Sequence, residues 1–263
     1  MQNARKFVTD EKVDSIFGSA ATPVAIPMAD VAAESGTVQL AASPIGLPTG
    51  KNAWSFRLPQ SNDVMAHAVV GLMKKQGVKR HRAALKLVAA SPDAILVEAS
   101  GSGAARPENA IIELGFKGKV YQIHAAATED LMHIGGKDVE GTLVVSGPAE
   151  VGDLLPDSPP SKKLAQDFVA KYDKAYGAGT ANPFAGHAYD ALTVLEKGVP
   201  VALKTAKPGT KEFRAALKDA IKNMGRTVFA HGIMNWTATD HWGYTMETGV
   251  MLVVKNGDWA LAN

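Results

Sequence analysis

The sequence predicts an α/β fold built from mostly parallel strands. Short β-rich runs alternate with amphipathic helical segments along the 263 residues, the pattern of strands joined by crossover helices. Three of the runs are apolar enough to be strands buried on both faces of a sheet. These runs are residues 94–97, 120–123 and 142–145.

The first elements are predicted from residue types that begin and end helices. Residues 13–17 form a strand, and Thr22 then stands where a helix N-cap belongs, followed by Pro23 at the first helical position. Gly36 should end that helix, because glycine adopts the left-handed conformation that often follows a helix. Residues 37–41 form the next strand.

Apolar residues at helical spacing predict the later helices. The helix that opens over 59–63 has two adjacent apolar rows, namely Val64, Ala68, Leu72 and Met65, Val69, Met73. Further helices are predicted at 107–114, around Leu164 to Tyr176, around Tyr189 to Leu195, and around Phe213 to Ile221. The C-terminal residues instead predict a β-hairpin, because Asn256-Gly257 suits the positive φ angles of a tight turn.

The composition argues against nucleic-acid binding, membrane binding and cysteine chemistry. The chain is 46% hydrophobic and 21% charged, with an interspersed net charge of +2, so we expect no nucleic-acid partner and no membrane-binding face. The absence of cysteine excludes disulfides and Cys-ligated metals. No apolar run is long enough to cross a bilayer, and residues 1–7 lack the apolar core of a signal peptide. No cofactor is predicted.

The best binding candidate is the strand-to-helix turn at residues 18–23. Its members Ser19, Ala20, Ala21 and Thr22 lie where a helix N-terminus would present N–H groups and a partial positive charge. Such a turn suits a carboxylate ligand. The competing interpretation is that Thr22 only caps its helix.

An enzyme is the less favoured interpretation. His231, Asp240 and His241 could in principle bind zinc, but they lack helical ligand spacing and are predicted in loops. Asp190 is expected to cap its helix or pair locally, and Trp236 and Trp242 to pack in a core, at a hinge or over ligand. Because no nucleophile or carboxylate pair has convincing spacing, we predict neither a metal site nor catalysis.

Five short segments are informative as an ordered set. They are IFGSAATP at 16–23, SFR at 55–57, SPDAILV at 91–97, GGKDVEG at 135–141 and GHAYDA at 186–191. Together they resemble the type I periplasmic solute-binding proteins, in the branch that feeds amino-acid ABC importers. The resemblance implies two α/β lobes that clamp a ligand between them. Lobe 1 would hold residues 1–58 and 147–232, and lobe 2 residues 59–146 and 233–263.

Two departures from that family are expected to affect the fold. The chain begins after the β-α-β unit that usually precedes the first helix, and a strand, a helix and a strand are expected to be missing between Arg80 and His81. Residues 81–88 resemble the end of a later helix. Missing strands leave unpaired edges, so three outcomes are open: a rearranged strand order, completion by a homodimer, or poor folding.

The resemblance also implies ligand-binding residues. It places the ligand's α-carboxylate at the turn 18–23, with Ala42 and Ser43 after the next strand at the head group. In lobe 2 it points to a ligand-facing loop at Ser100 and to His124, where some relatives carry an acid against the ligand's ammonium group. The lack of an acid at 124–128 weakens the expectation of α-amino-acid specificity.

Two functions follow as hypotheses. The first is a periplasmic solute-binding protein that delivers an amino acid or related small carboxylate to an ABC permease after hinge closure, without covalent chemistry. The second is a protein that has lost solute binding and acts as a self-associating or regulatory module through its exposed edges. Saturable ligand binding would favour the first, and an oligomer without ligand the second.

Overall fold

The computed structural model describes residues 2–78, 81–82 and 92–262. They divide into two compact units. Unit 1 contains Met1–Ser61 and Phe184–Thr245, and unit 2 contains Asn62–Pro183 and Met246–Asn263. Both units combine helices with a sheet that contains parallel strands, so the predicted α/β class is confirmed.

The elements follow one another largely as predicted. The strands are β1 Ser15–Phe17, β2 Val38–Ala41, β3 Ser55–Arg57, β4 His81–Arg82, β5 Ala94–Val97, β6 Lys119–Gln122, β7 Leu143–Ser146, β8 Thr227–Phe229, β9 Gly232–Met234, β10 Val250–Lys255 and β11 Asp258–Leu261. The helices are α1 Gln2–Thr9, α2 Thr22–Ser35, α3 Thr49–Asn52, α4 Asn62–Lys75, α5 Ala105–Glu113, α6 Glu129–Gly135, α7 Lys162–Tyr176, α8 Pro183–Ala202 and α9 Lys211–Lys222.

Unit 1 is built on a three-stranded parallel sheet in the order β1-β2-β3. On one face, strand residues such as Leu40 and Phe56 share a core with Leu217 and Ile221 of α9 and Val194 of α8. The other face is covered by α2, whose alanines pack against the end of β2. Strands β2 and β3 are therefore buried on both faces, while Phe17 of β1 remains exposed.

One of the two predicted ends of helix α2 is confirmed and the other is not. It stops before Gly36, which has φ of 61° and donates its N–H to Ala32 O, so the predicted end is confirmed. The predicted N-cap was wrong: the capping position is Ala21, and Thr22 is the first helical residue. The Thr22 hydroxyl bonds to Ser43 rather than to its own helix.

Unit 2 contains a six-stranded sheet in the order β11-β10-β7-β6-β5-β4. Strands β4 to β7 are parallel, while β10 and β11 are antiparallel. Helix α4 buries five of its six predicted apolar residues, with Ala68 partly buried. The predicted C-terminal hairpin is confirmed, and Asn256 and Gly257 take φ angles of 55° and 73° in its turn.

The chain around His81 differs from the prediction. His81 and Arg82, expected at the end of a helix, form β4 and pair in parallel with Ala94 and Ile95. This pairing satisfies backbone groups along the edge of β5 that would otherwise lack partners. The remainder of the predicted helix end, and the junction before His81, lie outside the described residues.

The two units divide the chain at positions different from the predicted lobes. Residues 147–183 belong to unit 2 because α7 packs on the segment Ala149–Leu154, whose Val151 joins Leu155 against Leu252 of β10. Residues 233–245 belong to unit 1, where Trp236 and Tyr244 lie in the core and β9 forms a hairpin with β8. No helix within the described ranges is long and apolar enough to span a membrane.

A buried carboxyl in unit 2 leads to a pH-dependence prediction. Glu108 of α5 accepts hydrogen bonds from Gln122 Nε2 and Thr142 Oγ1, and burial raises its pKa above the usual 4.5. The folded protein therefore holds this proton more tightly than the unfolded chain, so its contribution to stability is present below pH 4.5 and is lost as pH rises through the raised pKa.

The prediction is tested by comparing Glu108→Gln with wild type. The amide cannot ionise, so the free energy of unfolding of the variant should rise relative to wild type by up to about 1.4 kcal/mol per pH unit between pH 4.5 and the raised pKa of Glu108, and the difference should then level off. Urea denaturation between pH 4.5 and 8 measures this difference. Glu113→Gln, at an exposed position of the same helix, should show no such trend. Parallel pH profiles for E108Q and wild type would contradict the prediction.

Candidate functional site

The carboxyl ends of β1 and β2 bring two predicted site residues together. These strands are parallel neighbours, so the residues that follow them meet at one edge of the sheet. Gly18 N bonds to Leu40 O at 2.9 Å and fixes the start of the turn 18–23 beside β2. The hydroxyl oxygens of Thr22 and Ser43, 21 positions apart, lie 2.6 Å from one another. We call these two side chains the hydroxyl pair.

The hydroxyl pair retains hydrogen-bonding capacity for a ligand. Each hydroxyl has one hydrogen and two lone pairs. When one donates to the other, the accepting hydroxyl still has its own hydrogen to donate. Ser43 is 1% exposed, whereas Thr22 is exposed at the start of α2, so a small anion can reach the pair from the Thr22 side.

Several backbone amides at the start of α2 have acceptors within the protein or are absent. The Ala21 amide donates to Ser19 Oγ at 3.1 Å, and Pro23 has no N–H. The Val24 and Ala25 amides both donate to Ala21 O at 2.9 Å. These three amides are therefore engaged within the protein, whereas the hydroxyls and the partial positive charge of a 14-residue helix can attract an anion. The other predicted members differ in access: Ala20 is exposed and Ala42 is buried.

Two buried residues below this edge were not predicted as site residues. Gln39 Nε2 donates at 3.0 Å both to Gly18 O, at the start of the predicted turn, and to Ala25 O, just after it. Its Oε1 accepts from Ser55 Oγ at 2.6 Å. Both side chains are completely buried within the sheet.

Arg57 at the end of β3 is a third buried polar residue at this edge that was not predicted as a site residue. Its Nε donates to Ile45 O at 3.0 Å, and its Nη1 donates to Ser55 O and to Asn52 Oδ1. The guanidinium lies 5.1 Å from the Trp242 ring, a cation–π contact. Burial lowers the pKa of Arg57 to about 10, partly opposed by the nearby Asp240 carboxylate.

The buried side chain of Asp190 connects α8 to the β8–β9 hairpin and to Tyr244 in unit 1. Asp190 of α8 accepts from the backbone amides of Ala230 and His231 at 2.8 and 3.1 Å. Its Oδ2 also lies 3.0 Å from His231 Nδ1 and accepts from Tyr244 OH at 3.4 Å. The expectation that Asp190 pairs locally was wrong, because its partners lie 40 or more positions away in the chain. These contacts hold the β8–β9 hairpin against α8.

The histidines weighed for a metal site have structural partners instead. His231 pairs with Asp190 and stacks on His187 with ring centres 4.1 Å apart. His241 Nδ1 lies 3.1 Å from Ser55 O, and its ring stacks on Phe56 at 4.3 Å. Burial lowers the pKa of His241, so the neutral ring is favoured. No cluster of three potential metal ligands occurs in the part of the chain that the structure describes.

The two remaining predicted site residues lie in unit 2. Ser100 is exposed after β5, directly before the short turn Gly101–Gly103, and His124 begins the turn His124–Ala126 after β6. These two turns follow adjacent parallel strands and pack against each other. Glu129 begins α6, and burial together with the charge of Asp258 raises its pKa.

Comparison with known proteins identifies the family. A sequence profile described as periplasmic binding protein matches residues 81–257. An extracellular ligand-binding receptor from Rhodopseudomonas palustris is 36% identical, with a TM-score of 0.96, over 100% of this chain and 85% of that chain. The chain belongs to the periplasmic binding protein family. The resemblance to type I members, predicted from the five segments, is confirmed.

More distant members of the periplasmic binding protein family share the fold. The leucine-binding protein LivK from Thermotoga maritima is 20% identical with a TM-score of 0.73, over 100% of this chain and 82% of that chain. An ABC transporter substrate-binding protein from Desulfitobacterium hafniense in complex with Leu is 17% identical with a TM-score of 0.74, over 99% and 84% of the two chains. No curated protein gave a significant match.

Proposed function

We propose that this chain is the solute-binding component of an ABC importer and binds an amino acid or a related small carboxylate. Family membership supports a ligand-binding receptor, and related structures include a leucine-binding protein and a substrate-binding protein in complex with Leu. The observation that carries the proposal is the hydroxyl pair at the start of α2, with Thr22 and Ser43 2.6 Å apart.

The chemistry of the hydroxyl pair favours a carboxylate as the head group. A hydroxyl that donates to an ionised oxygen makes a stronger hydrogen bond than one between neutral groups. The N-terminal end of α2 adds a favourable interaction with negative charge. We also propose Ser100 and His124, both in unit 2, as ligand-binding residues. The protein would deliver its solute to a membrane permease in the periplasm without covalent chemistry.

A thermal-shift titration tests this function. The purified chain is titrated with branched-chain, aromatic and small aliphatic carboxylates. A solute at 100 times its dissociation constant should add about 2.7 kcal/mol to the free energy of unfolding. A cooperative transition that moves up with one class supports solute binding and names the class. A cooperative transition that none of the carboxylates moves contradicts it.

A second candidate function is self-association, which one observation favours. Within the described residues, β1 has a neighbouring strand on one side only, and Phe17 on this strand is 47% exposed. Open strand edges with apolar side chains promote pairing between chains. Analytical ultracentrifugation of wild type and Phe17→Ser separates the two functions. Self-association would be favoured if wild type forms a concentration-dependent dimer, F17S does not, and the protein binds no carboxylate.

A further inference from the structure

Ser43 is held by contacts that reach it through the loop after β2. The Ile45 amide donates to Ser43 O at 2.8 Å, which closes a tight turn. The other end of that turn, Ile45 O, accepts from Arg57 Nε at 3.0 Å. Arg57 is in turn fixed by its bonds to Ser55 O and Asn52 Oδ1. The position of the Ser43 hydroxyl therefore depends on a side chain of the neighbouring strand.

The turn that bears Thr22 is held by a second buried side chain, Gln39 of β2. Gln39 Nε2 donates to the carbonyl of Gly18, at the start of the turn that bears Thr22, and to the carbonyl of Ala25, just after that turn. Gln39 is tied to β3 by the bond from Ser55 Oγ. We call Gln39, Ser55 and Arg57 the buried frame. It links the Thr22 turn to the Ser43 loop through three side chains that are each at most 1% exposed.

The buried frame is costly if stability is its only purpose. Removing a guanidinium from water carries a large desolvation penalty, and apolar residues of similar volume often serve a core equally well or better. The depressed pKa of Arg57 shows that burial outweighs the opposing effect of Asp240. The frame instead supplies directed bonds to carbonyls on both sides of the hydroxyl pair.

We propose that Arg57 and Gln39 are positioning residues that hold the Thr22 and Ser43 hydroxyls together before a solute arrives. The part of this inference that concerns solute affinity rests on the proposed function. The claim that Arg57 and Gln39 hold the two hydroxyls at hydrogen-bond distance does not rest on it, because that distance can be measured in the free protein. A site assembled in advance loses less entropy on binding and therefore binds more tightly.

The first test is crystallographic and needs no solute. Arg57→Lys retains the charge but cannot donate in all three directions that the guanidinium fork reaches. Structures of free wild type, R57K and Arg214→Lys are compared, since Arg214 is a second buried arginine of unit 1, on α9. Wild type and R214K should keep the hydroxyl oxygens at hydrogen-bond distance, whereas in R57K they should separate beyond 3.5 Å. An intact pair in R57K would overturn the proposal.

A second variant covers the case in which R57K does not fold. Gln39→Glu keeps the side-chain shape but replaces the donor to Gly18 O and Ala25 O with an acceptor. It should also separate the hydroxyl pair. Loss of folding in both R57K and Q39E would overturn the proposal, because the frame would then serve stability alone.

The solute test distinguishes positioning from general weakening. Calorimetric titrations with L-leucine and L-leucinamide give the preference for a carboxylate over an amide. R57K should lower leucine affinity by about tenfold or more, the loss of one hydrogen bond to a charged group, and reduce the acid-to-amide preference. An equal loss for both probes would overturn positioning. If wild type binds neither probe, the crystallographic distance decides this proposal, and the carboxylate panel decides the proposed function.

Discussion

Replacing Asp190 with alanine should lower the free energy of unfolding by about 3–5 kcal/mol, because each buried donor that loses its acceptor costs about 1–3 kcal/mol. The substitution leaves the amides of Ala230 and His231, and the hydroxyl of Tyr244, without their acceptor. All of these groups lie in the interior of unit 1, where an unpaired donor cannot turn to water. The His231 ring loses its partner as well.

Urea denaturation of wild type, Asp190→Ala, Asp190→Asn and Asp219→Ala measures this effect. Asp219 is the matched control, since it pairs with Lys222 on the surface of the same unit. Its loss should change stability by less than about 1 kcal/mol. D190N keeps one acceptor oxygen and should fall between wild type and D190A. A D190A protein as stable as D219A would contradict the role of Asp190.

Replacing Thr22 with valine should weaken carboxylate binding by about 10- to 100-fold, because hydrogen bonds to charged groups contribute roughly 1.5–3 kcal/mol. Valine has nearly the same shape, so the change removes the hydroxyl and the 2.6 Å bond to Ser43 but little else. Thr22 is exposed, and stability should change by less than about 1 kcal/mol.

The affinity of T22V is measured by calorimetry with the carboxylate that gives the largest thermal shift. Thr193→Val is the control: it is the same substitution in the same unit, at a hydroxyl that donates to Tyr189 O within α8. T193V should bind like wild type. Ser43→Ala should resemble T22V, and the double variant should lose less than the sum, since the two hydroxyls act together. Wild-type affinity in T22V would contradict the proposed head-group site.

Features decided by neighbouring residues could be predicted from the sequence. Gly36 ends α2 and Asn256-Gly257 forms the hairpin turn, because both positions need a positive φ angle that few residues adopt easily. The apolar rows of α4 were readable from their spacing. That Ser43 lies near the turn 18–23 was implied by the family resemblance, and the parallel pairing of β1 with β2 explains it.

Features that depend on distant partners were missed. Thr22 was predicted as a cap because nothing nearby shows that its hydroxyl faces Ser43, 21 positions away. Asp190 looked like a local cap, yet its partners are in the β8–β9 hairpin. Gln39 is a polar residue in a buried strand, and its role depends on carbonyls at both ends of a turn. Such polar contacts across long loops have no sequence period.

The most direct test of the account is a crystal structure of the protein with its carboxylate bound. We expect a carboxylate oxygen within about 3.2 Å of the Thr22 or Ser43 hydroxyl. We also expect both hydroxyls to remain near the positions they hold in the free protein, 2.6 Å apart. A carboxylate held by other residues, with neither hydroxyl in contact, would contradict the account.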